Sequence, residues 1–175
     1  MTSYQINRFI QRKPHDFIVA NPLTRTVLDL SLAALEVVDS RDAIESVTKF
    51  LNEFLLSISV DVHEIKRDFL DNFAAKMTSA LLTACLIRLP SYFIPEFAEV
   101  IHALINLDFD VISLIIQGFF MQTNILQPKK LTSSSSSSEE ELKSASEDLL
   151  KSKKNPKSVA ASLRVIHRLL ADSRL

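Results

Sequence analysis

PLTRTVLDLSLAALEVVDSRDAIESVTKFLNEFLLSI, residues 22–58, decides the class of fold. Its first half places Val27, Leu28, Leu30, Leu32, Ala34, Leu35, Val37 and Val38 on nearly every face of a helix, which predicts a helix buried all round over 22–38. Asp39 is positioned to cap a second helix, in which Ile44, Val47, Phe50, Leu51, Phe54, Leu55 and Ile58 recur at steps of three and four. The other side of that helix carries Arg41, Asp42, Glu45, Lys49, Asn52 and Glu53, so it is amphipathic.

The pattern continues downstream. A third helix is expected from about Asp61 to Arg88, with Ile65, Phe69, Phe73, Met77, Ala80, Leu81 and Ala84 on one stripe and Pro90 ending it. Pro95 suits the first turn of a fourth helix, where its missing N–H costs nothing, and Glu96 and Glu99 complement the positive end of the dipole. Asp108 or Asp110 caps a fifth, very apolar helix (Val111, Leu114, Ile115, Phe119, Met121) that neighbours have to cover. Residues 127–141, QPKKLTSSSSSSEEE, interrupt the periodicity and read as a linker, because serines and glutamates bury too little apolar surface to offset ordering entropy. Leu142–Lys151 and a last helix capped by Asn155 and opened by Pro156 make up terminal helices over 142–175.

Helix pairs thus begin near Pro22, Asp61 and Asp108, at separations of 39 and 47 residues. HEAT and armadillo repeats have periods of about 40–47 residues, so the expected fold is an all-α, HEAT-repeat α-solenoid of about three antiparallel helix pairs over residues 1–126.

Composition excludes several functions. Gly118 is the only glycine, and Gly-rich phosphate loops and dinucleotide-binding turns cannot be built without more. With 20 basic and 21 acidic residues there is no basic field to hold nucleic acid by counterion release. The lone Cys85, in the run LLTACLI, reads as a small hydrophobe. No stretch approaches the roughly 18 apolar residues of a membrane span, and the N-terminus has no signal-peptide pattern, so a soluble intracellular protein is expected. His15, His63, His102 and His167 are scattered, and His63-Glu64 lacks the second histidine of a zinc helix. Asp61, Glu64 and Asp68 share a helix face that reads as solvated. No enzyme, metal or cofactor is expected.

Three strings carry a resemblance: Arg8-Phe9-Ile10-Gln11-Arg12; Asp39-Ser40-Arg41-Asp42-Ala43 followed by Ser46-Val47 and Lys49-Phe50-Leu51; and Leu89-Pro90-Ser91-Tyr92 running on to Ile94-Pro95-Glu96-Phe97-Ala98-Glu99-Val100. In order and spacing the chain resembles, over about residues 6–120, the C-terminal end of transportin-SR-type nuclear import receptors of the importin-β superfamily. The resemblance implies tandem HEAT repeats, protein cargo in the form of serine/arginine-rich splicing factors, Ran-GTP bound by upstream repeats absent here, and shuttling between cytoplasm and nucleus. The polyserine-glutamate stretch departs from that pattern.

In a solenoid the second helices of each pair line the concave face. Asp42, Glu45, Lys49, Glu53, Glu96 and Glu99 are therefore the expected cargo-binding residues, the five carboxylates among them complementing a basic partner, with an ordinary solvated face as the rival reading. Ser136, Ser137 and Ser138 each precede a glutamate by three residues, as an acidophilic kinase prefers, although the stretch reads first as a plain spacer; Lys151, Lys153, Lys154 and Lys157 form a basic cluster. If upstream repeats are missing, Phe9, Ile10, Phe17, Ile18, Val27 and Leu28 lack a covering layer. The isolated chain is then expected to self-associate, which light scattering over a concentration series checks; a monodisperse monomer throughout would contradict it.

Overall fold

The computed structural model describes residues 22–60, 63–122, 136–151 and 155–172, and these are helical with no strand among them. In chain order the helices are α1 (Pro22–Val37), α2 (Arg41–Val60), α3 (His63–Asn72), α4 (Ala74–Thr83), α5 (Ile94–Leu107), α6 (Phe109–Gln122), α7 (Ser136–Lys151) and α8 (Pro156–Asp172).

α1 and α2 pack together across a three-residue corner and are antiparallel, as are α3–α4 and α5 across the corner at Pro90. α1 runs parallel to α3–α4, since Arg25 meets Asp68 at 3.1 Å, Asp29 meets Lys76, and Leu35 meets Arg88. α2 and α5 are parallel in consequence, and they share one of the largest interfaces in the molecule. α6 lies on α4 and α5. α8 lies on α5 with α7 behind it. Arg168, late in α8, reaches Glu141, early in α7, so this third pair is antiparallel too.

α5 is the hub. Phe97, Val100, Ile101, Leu104 and Ile105, all essentially inaccessible, meet Phe54, Leu55 and Ile58 of α2, Leu81 and Leu82 of α4, Ile112 and Ile116 of α6, and Leu163 and Ile166 of α8 in one core. A staircase of rings, Phe50, Phe54, Phe69 and Phe73, with centroids 5.8–6.4 Å apart, ties α2 to α3.

Several expectations are corrected. The third helix is broken at Phe73, whose φ of −124° leaves the helical region, while bonds from Phe73 N to Phe69 O and from Met77 N to Phe73 O, both 2.8 Å, carry the chain through the bend. Its end widens into a π turn over Ala84–Arg88, closed from Leu89 N to Ala84 O. Asp39 does not cap α2. Ser40 occupies the cap position and its carbonyl accepts from Ile44 N at 3.1 Å. Asp39 instead pairs with Arg88, whose guanidinium also donates to Leu35 O at 3.0 Å and Val38 O at 2.6 Å. Arg88 thereby satisfies carbonyls at the end of α1 and sets a cation against its negative dipole end.

α1 and α6 are not covered all round: Leu30 and Val37 on α1 are 65% and 76% exposed, and Leu114 and Met121 on α6 are 69% and 70% exposed. Each has one buried stripe because each sits at the periphery of the α5-centred core. The serine-glutamate stretch is helical from Ser136 onward, so the expected linker does not extend to 141. Leu142, Ala145 and Leu149 bury one face of α7 and draw the helix through the glutamates. The third pair is α7–α8 rather than one beginning at Asp108, and the terminal helices complete the core instead of standing apart from it. Asp108 and Asn155 do cap: Val111 N donates to Asp108 Oδ1 at 3.2 Å, and Ser158 N to Asn155 Oδ1 at 2.9 Å. Pro95 lies in the first turn of α5. Leu28, expected to lack a covering layer, is instead buried, and Val27 packs partly buried against the same core, because α3–α4 and α2 cover that side of α1. Residues 1–21, which hold the first resembling string and Phe9, Ile10, Phe17 and Ile18, and 123–135 lie outside the described residues.

Arg88→Ala is expected to destabilise by about 1–3 kcal/mol by orphaning two part-buried carbonyls, measured by urea denaturation; a change under about 0.5 kcal/mol would remove Arg88 from this role. Burial pushes the Cys85 thiol up to about 12 from 9.0. The unfolded chain loses that proton first, so the stabilisation present below pH 9 falls as the pH rises towards 12. Comparing Cys85→Ala with the parent across this window isolates the effect, since the parent alone should show the extra decline.

Candidate interaction trough

Burial of α5 on most sides leaves one strip to solvent: Glu96, Glu99, His102, Ala103 and Asn106. These positions follow helical spacing along the helix side opposite Ile101, so the apolar pattern that creates the core also confines the polar side chains to a line. α2 forms one wall of this strip. Its exposed stripe runs Glu45, Lys49, Asn52, Leu56, Ser59, at steps of three and four. Pro156, at the start of α8, borders the strip as well. His167, near the other end of α8, has its Nε2 3.3 Å from Leu89 O, just ahead of α5, so α8 lies antiparallel along the strip.

The trough holds a cleft of about 260 Å³ between Asn52, Leu55, Leu56 and Ser59 on one side and Glu99, His102, Ala103 and Asn106 on the other. Ala103 keeps its floor low. Leu56, 53% exposed, and Pro156 give it an apolar waist. Asn106 Nδ2 lies 3.2 Å from His102 Nε2, fixing the two polar side chains at the far end.

Acidic residues gather towards the start of α5. Arg41 Nε donates to Glu45 Oε1 at 2.7 Å, and the guanidinium is held above its ordinary value by that bond and by the charge of Glu45, with Glu96 adding to it across the helix boundary. Glu45 and Glu96 are thus brought to one place by α2 and α5 together. Glu99 is exposed and lines the cleft. Asp42 and Lys49 are exposed on α2 outside the cleft lining, and Glu53 is half-buried there. Glu53 and Glu96 each hold one carboxylate oxygen, Oε2, buried without a hydrogen-bond partner. Counted together, Asp42, Glu45, Glu53, Glu96 and Glu99 outnumber Arg41 and Lys49 on these two helices by three negative charges.

The cleft residues that composition and periodicity passed over are Leu56, His102, Ala103, Asn106 and Pro156. Their signal was the small or polar character of 99, 102, 103 and 106 within an otherwise apolar helix. Among the described residues no cluster of His, Cys, Asp or Glu is arranged to hold a metal, and no helix is long and apolar enough to cross a membrane. No known protein-family model matches the chain, and no curated protein matches its sequence.

Proposed function

We propose that this chain is a protein-binding segment of a nuclear import receptor, a HEAT-type α-solenoid that holds basic protein cargo. The observation that carries this reading is the register of the packing. Contacts between α1 and the α3–α4 pair join residues 43 and 47 apart in sequence, Arg88 in the π turn beyond α4 meets Asp39, Val38 and Leu35 at 49, 50 and 53, and Lys66 of α3 meets Asp108 just before α6, 42 residues on. Between the first two pairs, with α1 parallel to α3–α4 and α2 parallel to α5, that offset lies near the roughly 40–47-residue period of HEAT and armadillo repeats, in which first helices stack in parallel and second helices do likewise; the α7–α8 pair, with α8 antiparallel on α5, does not continue it.

Two of the strings that resemble transportin-SR-type receptors, Asp39–Leu51 and Leu89–Val100, fall on α2 and α5, the helices that build the trough. Its negative excess complements an arginine-rich partner, which supports serine/arginine-rich splicing factors as the cargo class. Binding is by shape and charge without turnover, and Ran-GTP control acts through repeats upstream of this segment. Such a receptor shuttles between cytoplasm and nucleus. Direct nucleic-acid binding and membrane attachment form no part of the reading.

The test is a pull-down from nuclear extract with the immobilised chain, with and without Ran-GTP, and over a salt series. Recovery of serine/arginine-rich proteins that weakens steeply with salt is expected. Release by Ran-GTP requires the upstream repeats and is read with the longer receptor. Recovery of a fixed assembly indifferent to salt and Ran would favour a HEAT- or armadillo-type structural scaffold instead.

A further inference from the structure

The trough is not uniformly acidic, and its change of character along α5 carries more than a preference for positive charge. At Glu96 and Glu99 it presents carboxylates; one helical turn further on, at Ala103, it narrows into the apolar waist made by Leu56 and Pro156. A partner consisting only of arginine and serine has no use for that waist. We propose that the trough takes a linear segment in which a basic side chain and an apolar side chain stand about two residues apart, the first against Glu99 and the second in the cleft. The inference rests on the basic-cargo reading and makes it more specific.

The spacing follows from geometry. Glu99 and Ala103 are four residues apart on one helix face, roughly 6 Å along the axis, and an extended peptide advances about 3.3 Å per residue. Side chains two residues apart on an extended segment point to the same side and cover that distance. The cleft volume of about 260 Å³ suits one branched aliphatic side chain together with the peptide group beside it. Charge complementarity fixes the orientation of the pair, because the carboxylates Glu45, Glu96 and Glu99 belong to the trough from the start of α5 to its middle, whereas His102 beside the waist and Asn106 and Ser59 beyond it carry no carboxylate. Leu56, half exposed on α2 with its neighbour Leu55 buried, is the side chain that reads the apolar residue.

The experiment compares two fluorescein-labelled peptides matched in length and charge, one repeating Arg-Ser-Leu-Ser and one repeating Arg-Ser-Ser-Ser, by fluorescence anisotropy against the full chain. The leucine peptide is expected to bind about tenfold tighter, the order of effect that burial of one leucine side chain gives. Leu56→Gln, at a position too exposed to endanger the core, should erase that difference, the two peptides binding the variant with equal affinity. Glu99→Gln should weaken both peptides. Equal binding of the two peptides, or a leucine preference that survives Leu56→Gln, overturns the inference and leaves the basic-cargo reading standing; binding of neither peptide removes both.

Discussion

Eight of the fourteen residues of α5 are buried, and a helix with so little of its circumference available to water is stable only when other helices enclose it. Each neighbour exists in the form it does because it answers that demand. α2 supplies Phe54, Leu55 and Ile58, α4 supplies Leu81 and Leu82, α6 supplies Ile112 and Ile116, and α8 supplies Leu163 and Ile166. The peripheral helices, by contrast, bury one stripe each and leave leucine, valine or methionine exposed on the other side, which a protein surface tolerates when such residues are scattered singly. The trough is a by-product of the same demand, for the strip of α5 that nothing covers is also the bottom of the valley between α2 and α8.

Much of this was legible before any coordinates. Helix type follows from steps of three and four in the apolar residues, and the local stop and start chemistry at Pro90, Pro95, Asp108, Asn155 and Pro156 acts over a few residues, so it reads correctly from the chain alone. What failed to read depends on residues distant in sequence. Asp39 has the right chemistry for a cap, yet Arg88, 49 residues later, claims its carboxylate, and Ser40 takes the cap position. The bend at Phe73 has no glycine or proline to announce it; the apolar stripe continues through it unchanged. The glutamates before Leu142 look incompatible with a packed helix until α8 supplies a surface for Leu142, Ala145 and Leu149 and an arginine, Arg168, for Glu141.

The site shows the same division. Its charge was visible, because carboxylates on the polar side of an amphipathic helix can be counted from the sequence. Its shape was not. Glu45 and Glu96 meet only because α2 and α5 are parallel neighbours, and Ala103 matters only because Leu56 and Pro156 stand on either side of it. In a sequence an alanine in a helix is the least informative of residues, since it favours the helix wherever it falls. Asp42, Lys49 and Glu53, which pattern alone ranked equally with Glu99, lie outside the cleft lining because α2 contributes to it only from Asn52 to Ser59, which leaves Asp42 and Lys49 earlier on the helix, and Glu53 within that span is half-buried.

The Arg88 strap also bears on how the chain is made. Ribosomes release the N-terminal part of a protein first, at about 5–20 residues per second, so 49 residues separate the emergence of Asp39 from that of the guanidinium that secures it, an interval of roughly 2–10 s. Once Val60 has followed, and until Arg88 arrives, the α1–α2 hairpin stands with its corner carbonyls without the guanidinium that meets them in the fold and its phenylalanines without Phe97. The corner closes only when the next hairpin arrives. The order of synthesis is therefore also the order in which the carbonyls at the end of α1 find their partner, one hairpin after their own.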